Sequence, residues 1–250
     1  MVQAPRKPQL RPDPYPDSDG KPMADNTEQF DWITLIVGNL RRLLKDQNAF
    51  VAGDLLWYPV QVTTDEPAPR QAPDALVALG RPPGRRGSYR QWEEEGIAPQ
   101  VVFEVLSPSN TTREMMQKQK FYEDHGVLES YYYDPQRKDF WGYVRETSAE
   151  AVTLIVPLDL PWTSPLLGIR FELPDELVIF HPNGEPFAEL TEVTQERDQA
   201  RAERDEARAQ LNQTEAQLNQ TEAELGQTET ERDRAFAKLR ELGINPEDLP

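Results

Sequence analysis

A chain of 250 residues with 44 Asp/Glu against 27 Lys/Arg carries a formal charge of −17. Such a balance opposes phosphate-rich partners unless a metal ion or a local basic strip offsets it. Cysteine is absent, which excludes disulfides and thiolate metal sites, and the two histidines, His125 and His181, stand far apart in unlike contexts.

The rest of the composition narrows the class further. A Ser-His-Asp hydrolase is improbable with so few histidines and no G-x-S-x-G turn. The first residues, MVQAPRKPQLRPDPYPDSDG, lack the apolar core of a signal peptide, and no apolar run approaches the ~20 residues that span a bilayer. A soluble, cytoplasmic protein is expected. The charge is spread along the chain, since residues 188–250 hold 16 acidic and 8 basic side chains and the remainder is also acidic.

Residues 1–26 are rich in Pro, Asp and Lys without apolar periodicity, and read as an extended arm. From Thr27 the spacing of Phe30, Ile33, Val37, Leu40 and Leu44 predicts a helix, with Asn26 or Thr27 as its N-cap. AFVAGDLLWYPVQV, DALVALG and QVVFEVL then read as strands separated by segments dense in Pro, Gly and Arg. TTREMMQKQKFYEDHG reads as a second helix, opened by the capping box Thr111-x-x-Glu114 and closed by Gly126. SYYYD, KDFWGYVRE, VTLIVPL, IRFEL and LVIFHP continue as strands with short, antiparallel-type turns. This order predicts an α+β domain over 27–187 with one mixed central sheet. Beyond it, residues 188–250 carry a heptad through Leu211, Leu218 and Leu225 with Thr214, Thr221 and Thr228 beside it, including the repeat QLNQTEA-QLNQTEA. That tail reads as a coiled-coil helix with a weak seam or as a solvated helix.

The chemistry is suggested by Glu104, which interrupts the apolar run Val101–Leu106. A carboxylate in a buried strand is costly unless it is paired or ligated. Asp74 opens the preceding strand after Pro73, so if the strands are neighbours the two acids can converge on Mg²⁺ or Mn²⁺, which need only one or two carboxylates. The alternative is that Asp74 is a turn residue and Glu104 pairs with an arginine. On the following helix, a twist of ~100° per residue sets Lys118 on the side of Met115 and Tyr122, at the edge of the buried face. There it could meet Glu104 and a phosphate, or extend to solvent along the apolar face.

Pro73-Asp74, Glu104-Val105-Leu106-Ser107-Pro108-Ser109, Lys118-x-x-x-Tyr122-x-x-x-Gly126-Val127, the Tyr-rich strand and Asp134-Pro135 together resemble the Uma-two endonuclease-like family. That family belongs to the PD-(D/E)-x-K nuclease superfamily, with a restriction-endonuclease-like fold, and the resemblance runs from about Tyr15 to Phe187. It implies that Asp74 and Glu104 are metal-binding acids and that the Val105 carbonyl is a third ligand. The superfamily's lysine position is occupied by Leu106, a departure that the family pattern meets with a lysine on the next helix, here Lys118. Glu114 stands where the family often has an acid, and Gln100 and Glu28 fall near the site in the superfamily's topology.

Arg85, Arg86, Tyr89, Arg90 and Trp92 form a basic and aromatic insertion between the acidic strands. It could supply the missing positive strip and a stacking surface for nucleic acid. An Arg–Glu network is the competing reading, because Glu93, Glu94 and Glu95 follow directly. Two functions are therefore expected to compete. One is a Mg²⁺- or Mn²⁺-dependent endonuclease acting on DNA. The other is a catalytically inactive nuclease-fold protein that acts as an interaction or assembly module through its coiled-coil tail. A homodimer through the nuclease domain or the C-terminal helix is expected to be open to either.

Overall fold

The structure is a computed structural model describing residues 14–20, 22–63 and 67–241. The chain divides into two compact units, Met1–Leu190 and Thr191–Pro250. Among the described residues no helix is long and apolar enough to cross a membrane.

In the first unit, helix α1 (Thr27–Leu43) starts at Asn26, whose side chain accepts from the Gln29 amide, and its acidic first turn and basic last turn oppose the helix dipole. It buries Gln29, Ile33, Ile36, Val37, Asn39 and Leu40. Phe30, expected on that stripe, is instead 44% exposed, because the buried face is rotated toward Gln29. Asn39 is also buried, and its side chain bonds to the Leu35 and Ala188 carbonyls and to His181, tying the end of the domain to α1.

Six strands make a central mixed sheet: β1 (Ala49–Ala52), β3 (Ala75–Leu79), β5 (Val101–Val105), β6 (Glu129–Asp134), β7 (Asp139–Val144) and β8 (Thr153–Ile155), in that spatial order. Only the β5–β6 pair is parallel, and helix α2 (Thr112–His125) makes the crossover that a parallel pair requires. The capping box at Thr111 and Glu114 is formed, and Gly126 adopts φ 101°, the left-handed stop expected for it.

Two smaller sheets flank this core. β2 (Trp57–Tyr58) pairs in parallel with β4 (Tyr89–Arg90), while β9 (Trp162–Thr163), β10 (Arg170–Glu172) and β11 (Val178–Phe180) form a separate antiparallel sheet. The last strands thus do not extend the central sheet; they pack Phe171 and Ile179 against its core. A buried carboxylate holds this junction. Glu129 accepts from Tyr131, Ser164 and the Leu166 amide, so its charge is fully hydrogen-bonded.

Alternation along β5 separates two faces. Val101, Phe103 and Val105 join the core beneath α1, whereas Val102 lies in the cluster containing Tyr122 of α2. Glu104 shares the parity of Val102 and so faces α2.

Helix α3 (Leu190–Glu241), which has all but its first residue in the second unit, is 52 residues long.

Candidate active site

The register of β3 against β5 positions the acids. Ala75 pairs with Phe103, so one step further the same register sets Asp74 across from Glu104. The β3–β5 ladder is antiparallel, and Asp74 takes the place of a ladder acceptor: its Oδ2 accepts from the Val105 amide at 2.7 Å. Asp74 and Glu104 are both buried, at 8% and 2% exposure.

Helix α2 answers the charge of Glu104. Lys118 Nζ lies 2.6 Å from Glu104 Oε2, and the Tyr122 hydroxyl donates to Oε1. One helix turn separates these two donors, which is why both reach the same carboxylate. Glu104 is therefore paired with a lysine and a tyrosine, not with an arginine. The Lys118 side chain keeps 22% of its surface exposed, toward the cleft.

Electrostatics follow from this arrangement. Burial pushes the Asp74 carboxyl well above its ordinary value, and the neighbouring Glu104 adds to the shift. Burial alone would lower Lys118, but Glu104 and Asp74 outweigh it and hold its ammonium charged. Burial and Glu104 keep the Tyr122 phenol protonated. The site thus holds a carboxyl reluctant to ionise, Asp74, in the neighbourhood of a firmly charged cation, Lys118.

Asp74 opens onto a cleft of about 360 Å³ whose walls include Asp19, Asp25, Asp54, Glu114 and Lys118, while Glu104 lies buried behind Lys118. Asp54 has φ 47°, a left-handed conformation uncommon outside glycine, and its amide donates to the Pro73 carbonyl beside Asp74. Burial raises the Asp54 carboxyl, and Asp19 raises it further. Gly53 before it lets the chain pass close to α1, since a Cβ there would fall 2.9 Å from Val37 Cγ2 and 3.2 Å from the Asp74 carbonyl. Asp25, also on the cleft, accepts from the Ser107 and Ser109 hydroxyls.

The expected site residues are only partly gathered here. Asp74, Glu104, Val105 and Lys118 converge, and Glu114 lines the cleft from its capping position. Glu28 is exposed on α1, and its neighbour Gln29 reaches in instead, donating from Nε2 to the Val105 carbonyl at 2.8 Å. Gln100 sits at the opposite end of β5, where its amide exchanges hydrogen bonds with the Leu79 backbone. Leu106 borders a different recess, with Thr112 and Trp141.

The basic insertion is a structural knot. Tyr89 is fully buried, stacks on Phe50 and donates to the Ile97 carbonyl, so it offers no face to a base. Arg86 lies over the Phe50 ring and pairs with Glu94, which also receives Arg81. Arg90 lies over Tyr15 and contacts Glu93, and Trp92 packs against Tyr15. Arg85 is exposed. The Glu93–Glu95 run neutralises the strip, so the Arg–Glu network is the arrangement found.

Two carboxylates facing each other across a ladder, with a backbone carbonyl beside them, are hard oxygen donors that fit Mg²⁺ or Mn²⁺. Among the described residues no group of three or more His, Cys, Asp or Glu converges tightly enough to hold an ion unaided, so water would complete the shell.

Comparison with known proteins agrees with the family resemblance. A family profile named Uma2, described as "Putative restriction endonuclease", matches residues 19–176. No curated protein matches. A solved structure described as "a putative nuclease belonging to DUF820 from Anabaena variabilis ATCC 29413" is similar over 60% of this chain and 81% of its own, with 16% identity and a TM-score of 0.42. With the profile spanning more than half of its length, the chain belongs to the Uma2 family of restriction-endonuclease-like proteins.

Proposed function

We propose that the protein hydrolyses phosphodiester bonds in DNA with the help of Mg²⁺ or Mn²⁺. The observation that carries this reading is the Asp74–Glu104 pair across β3 and β5, with Lys118 Nζ 2.6 Å from Glu104 and facing the cleft. Asp74, Glu104 and the Val105 carbonyl would hold the ion. A bound ion of this type lowers the pKa of water and offsets charge on a phosphoryl oxygen.

The chain's own residues supply the rest. Only Oδ2 of Asp74 accepts a hydrogen bond among the described residues, which leaves Oδ1 available toward the cleft that Asp74 lines. Tyr122 and Lys118 fix the plane of the Glu104 carboxylate, one donor to each oxygen. Lys118, held charged, is placed to meet a nonbridging phosphate oxygen and to stabilise the charge that develops there. Gln29 orients the Val105 carbonyl.

The acidic walls of the cleft repel a bare phosphate backbone, so binding of DNA should depend strongly on the divalent ion. The test is cleavage of supercoiled and linear DNA by the full chain with and without Mg²⁺ or Mn²⁺. Activity that needs the ion and disappears in Asp74→Ala, Glu104→Ala and Lys118→Ala is expected. Equal cutting by these variants, or no cutting of any DNA form, contradicts the proposal.

A further inference from the structure

α3 exposes three leucines at strict seven-residue spacing, Leu211, Leu218 and Leu225, with 59%, 58% and 60% of their surface in solvent. Between them stand Thr214, Thr221 and Thr228. Each threonine hydroxyl donates to the carbonyl four residues back, on Gln210, Gln217 and Glu224. Their hydrogen bonding is therefore satisfied within the helix, and burying this stripe would strand no hydroxyl. A seven-residue repeat of this kind drifts by ~20° per heptad on a straight helix and is followed by a partner only through left-handed supercoiling.

We propose that this stripe pairs with the same stripe of a second copy of the chain, in antiparallel orientation, centred near residue 216. The choice of orientation rests on charge at the seam. Arg204 and Arg232 occupy the same heptad position as the leucines. In a parallel pair each would face its own copy, so two levels of the seam itself would carry like charges, and Glu224 would face Glu229 at the rim. In the antiparallel alignment Leu211 lies opposite Thr221 and Leu218 opposite Thr214. Leu225 then meets Ala207, Arg204 meets Thr228, and Arg208 stands beside Glu222 of the second copy. Arg204 then enters a stretch containing Glu224, Glu229 and Glu231. Like charges remain at the solvated rim, where Glu203 faces Glu231 and Glu215 faces itself, and are screened there. Placing the arginines off each other's axis removes the costlier clash.

Because the chain has no cysteine, single cysteines report the alignment directly. Leu211→Cys and Thr221→Cys proteins, full length, are mixed, mildly oxidised and digested for peptide mass analysis. A 211–221 cross-link between chains is expected, with little cross-linking of Leu211→Cys alone. Light scattering should give twice the chain mass for the wild type and the single mass for Leu218→Asp, a substitution at a solvent-exposed position. Efficient 211–211 linkage would overturn the orientation. A wild type of single mass, or a Leu218→Asp protein that stays double, would overturn the pairing itself.

Discussion

Lys118 Nζ lies 2.6 Å from Glu104 Oε2, joining the second helix to the middle strand through a charge pair beneath the cleft. The pair answers the cost of a carboxylate in an apolar strand, and it also fixes a cation at the edge of a cleft lined by acids. Among the described residues, removing Lys118 leaves Glu104 buried with only the Tyr122 hydroxyl to answer its charge.

Lys118→Met should therefore destabilise the fold by about 3 kcal/mol, the usual scale for breaking a buried pair. Glu104→Gln combined with Lys118→Met should recover much of that loss. A double-mutant cycle by chemical denaturation reads the coupling, and additive single effects would show that the two groups do not interact.

Asp74 is expected to cost stability at neutral pH. Its folded carboxyl is raised by burial and by Glu104, so the folded state holds the proton more tightly than the unfolded chain. Stability attributable to this group is then greatest below the ordinary carboxylate range and falls as pH rises toward the raised folded value. Asp74→Asn keeps an acceptor for the Val105 amide and removes the titration. The variant should become more stable than the wild type as pH increases, with the gap levelling off above the raised pKa. Denaturation midpoints measured from pH 4 to 8 check this, and a gap that does not change with pH would contradict it.

Tyr122→Phe removes the hydroxyl that donates to Glu104 Oε1 inside the core. A lost donor to a buried carboxylate costs about 1–3 kcal/mol. Cleavage should fall more than stability explains, because Glu104 loses one of its two orienting donors, and rates measured well below the melting temperature separate the two effects.

The sequence exposed some of this site and hid the rest for definable reasons. Glu104 was legible because one charge broke an apolar run, and Lys118 because helical spacing placed it beside Met115 and Tyr122. Gln29 was hidden by Phe30, whose hydrophobicity drew the stripe of α1 one residue round; the signal available was only that 29, 33, 36, 37 and 40 also fit one face. Asp54 lay in a turn after Gly53, where no periodicity applies and only the backbone conformation marks it. The role of Arg86 and Tyr89 was ambiguous because the same residue types build a nucleic-acid strip or an Arg–Glu knot. Which one forms depends on Glu94 and Phe50, brought in by the tertiary fold.

Gly53→Ala should displace the Asp74 backbone, since the added methyl would meet Val37 and the Asp74 carbonyl at sub-contact distances. A stability loss of about 1–3 kcal/mol is expected from such overpacking. An unchanged melting temperature would show that α1 and the Asp74 turn are not held as closely as the structure has them.

Whether Asp74 and Glu104 together hold a divalent ion is decided by calorimetric titration of Mn²⁺ into the wild type and Glu104→Ala. Saturable binding to the wild type is expected, with loss of that binding in the variant. A folded wild type that takes up no ion, or a variant that binds it equally well, would contradict such a shared site.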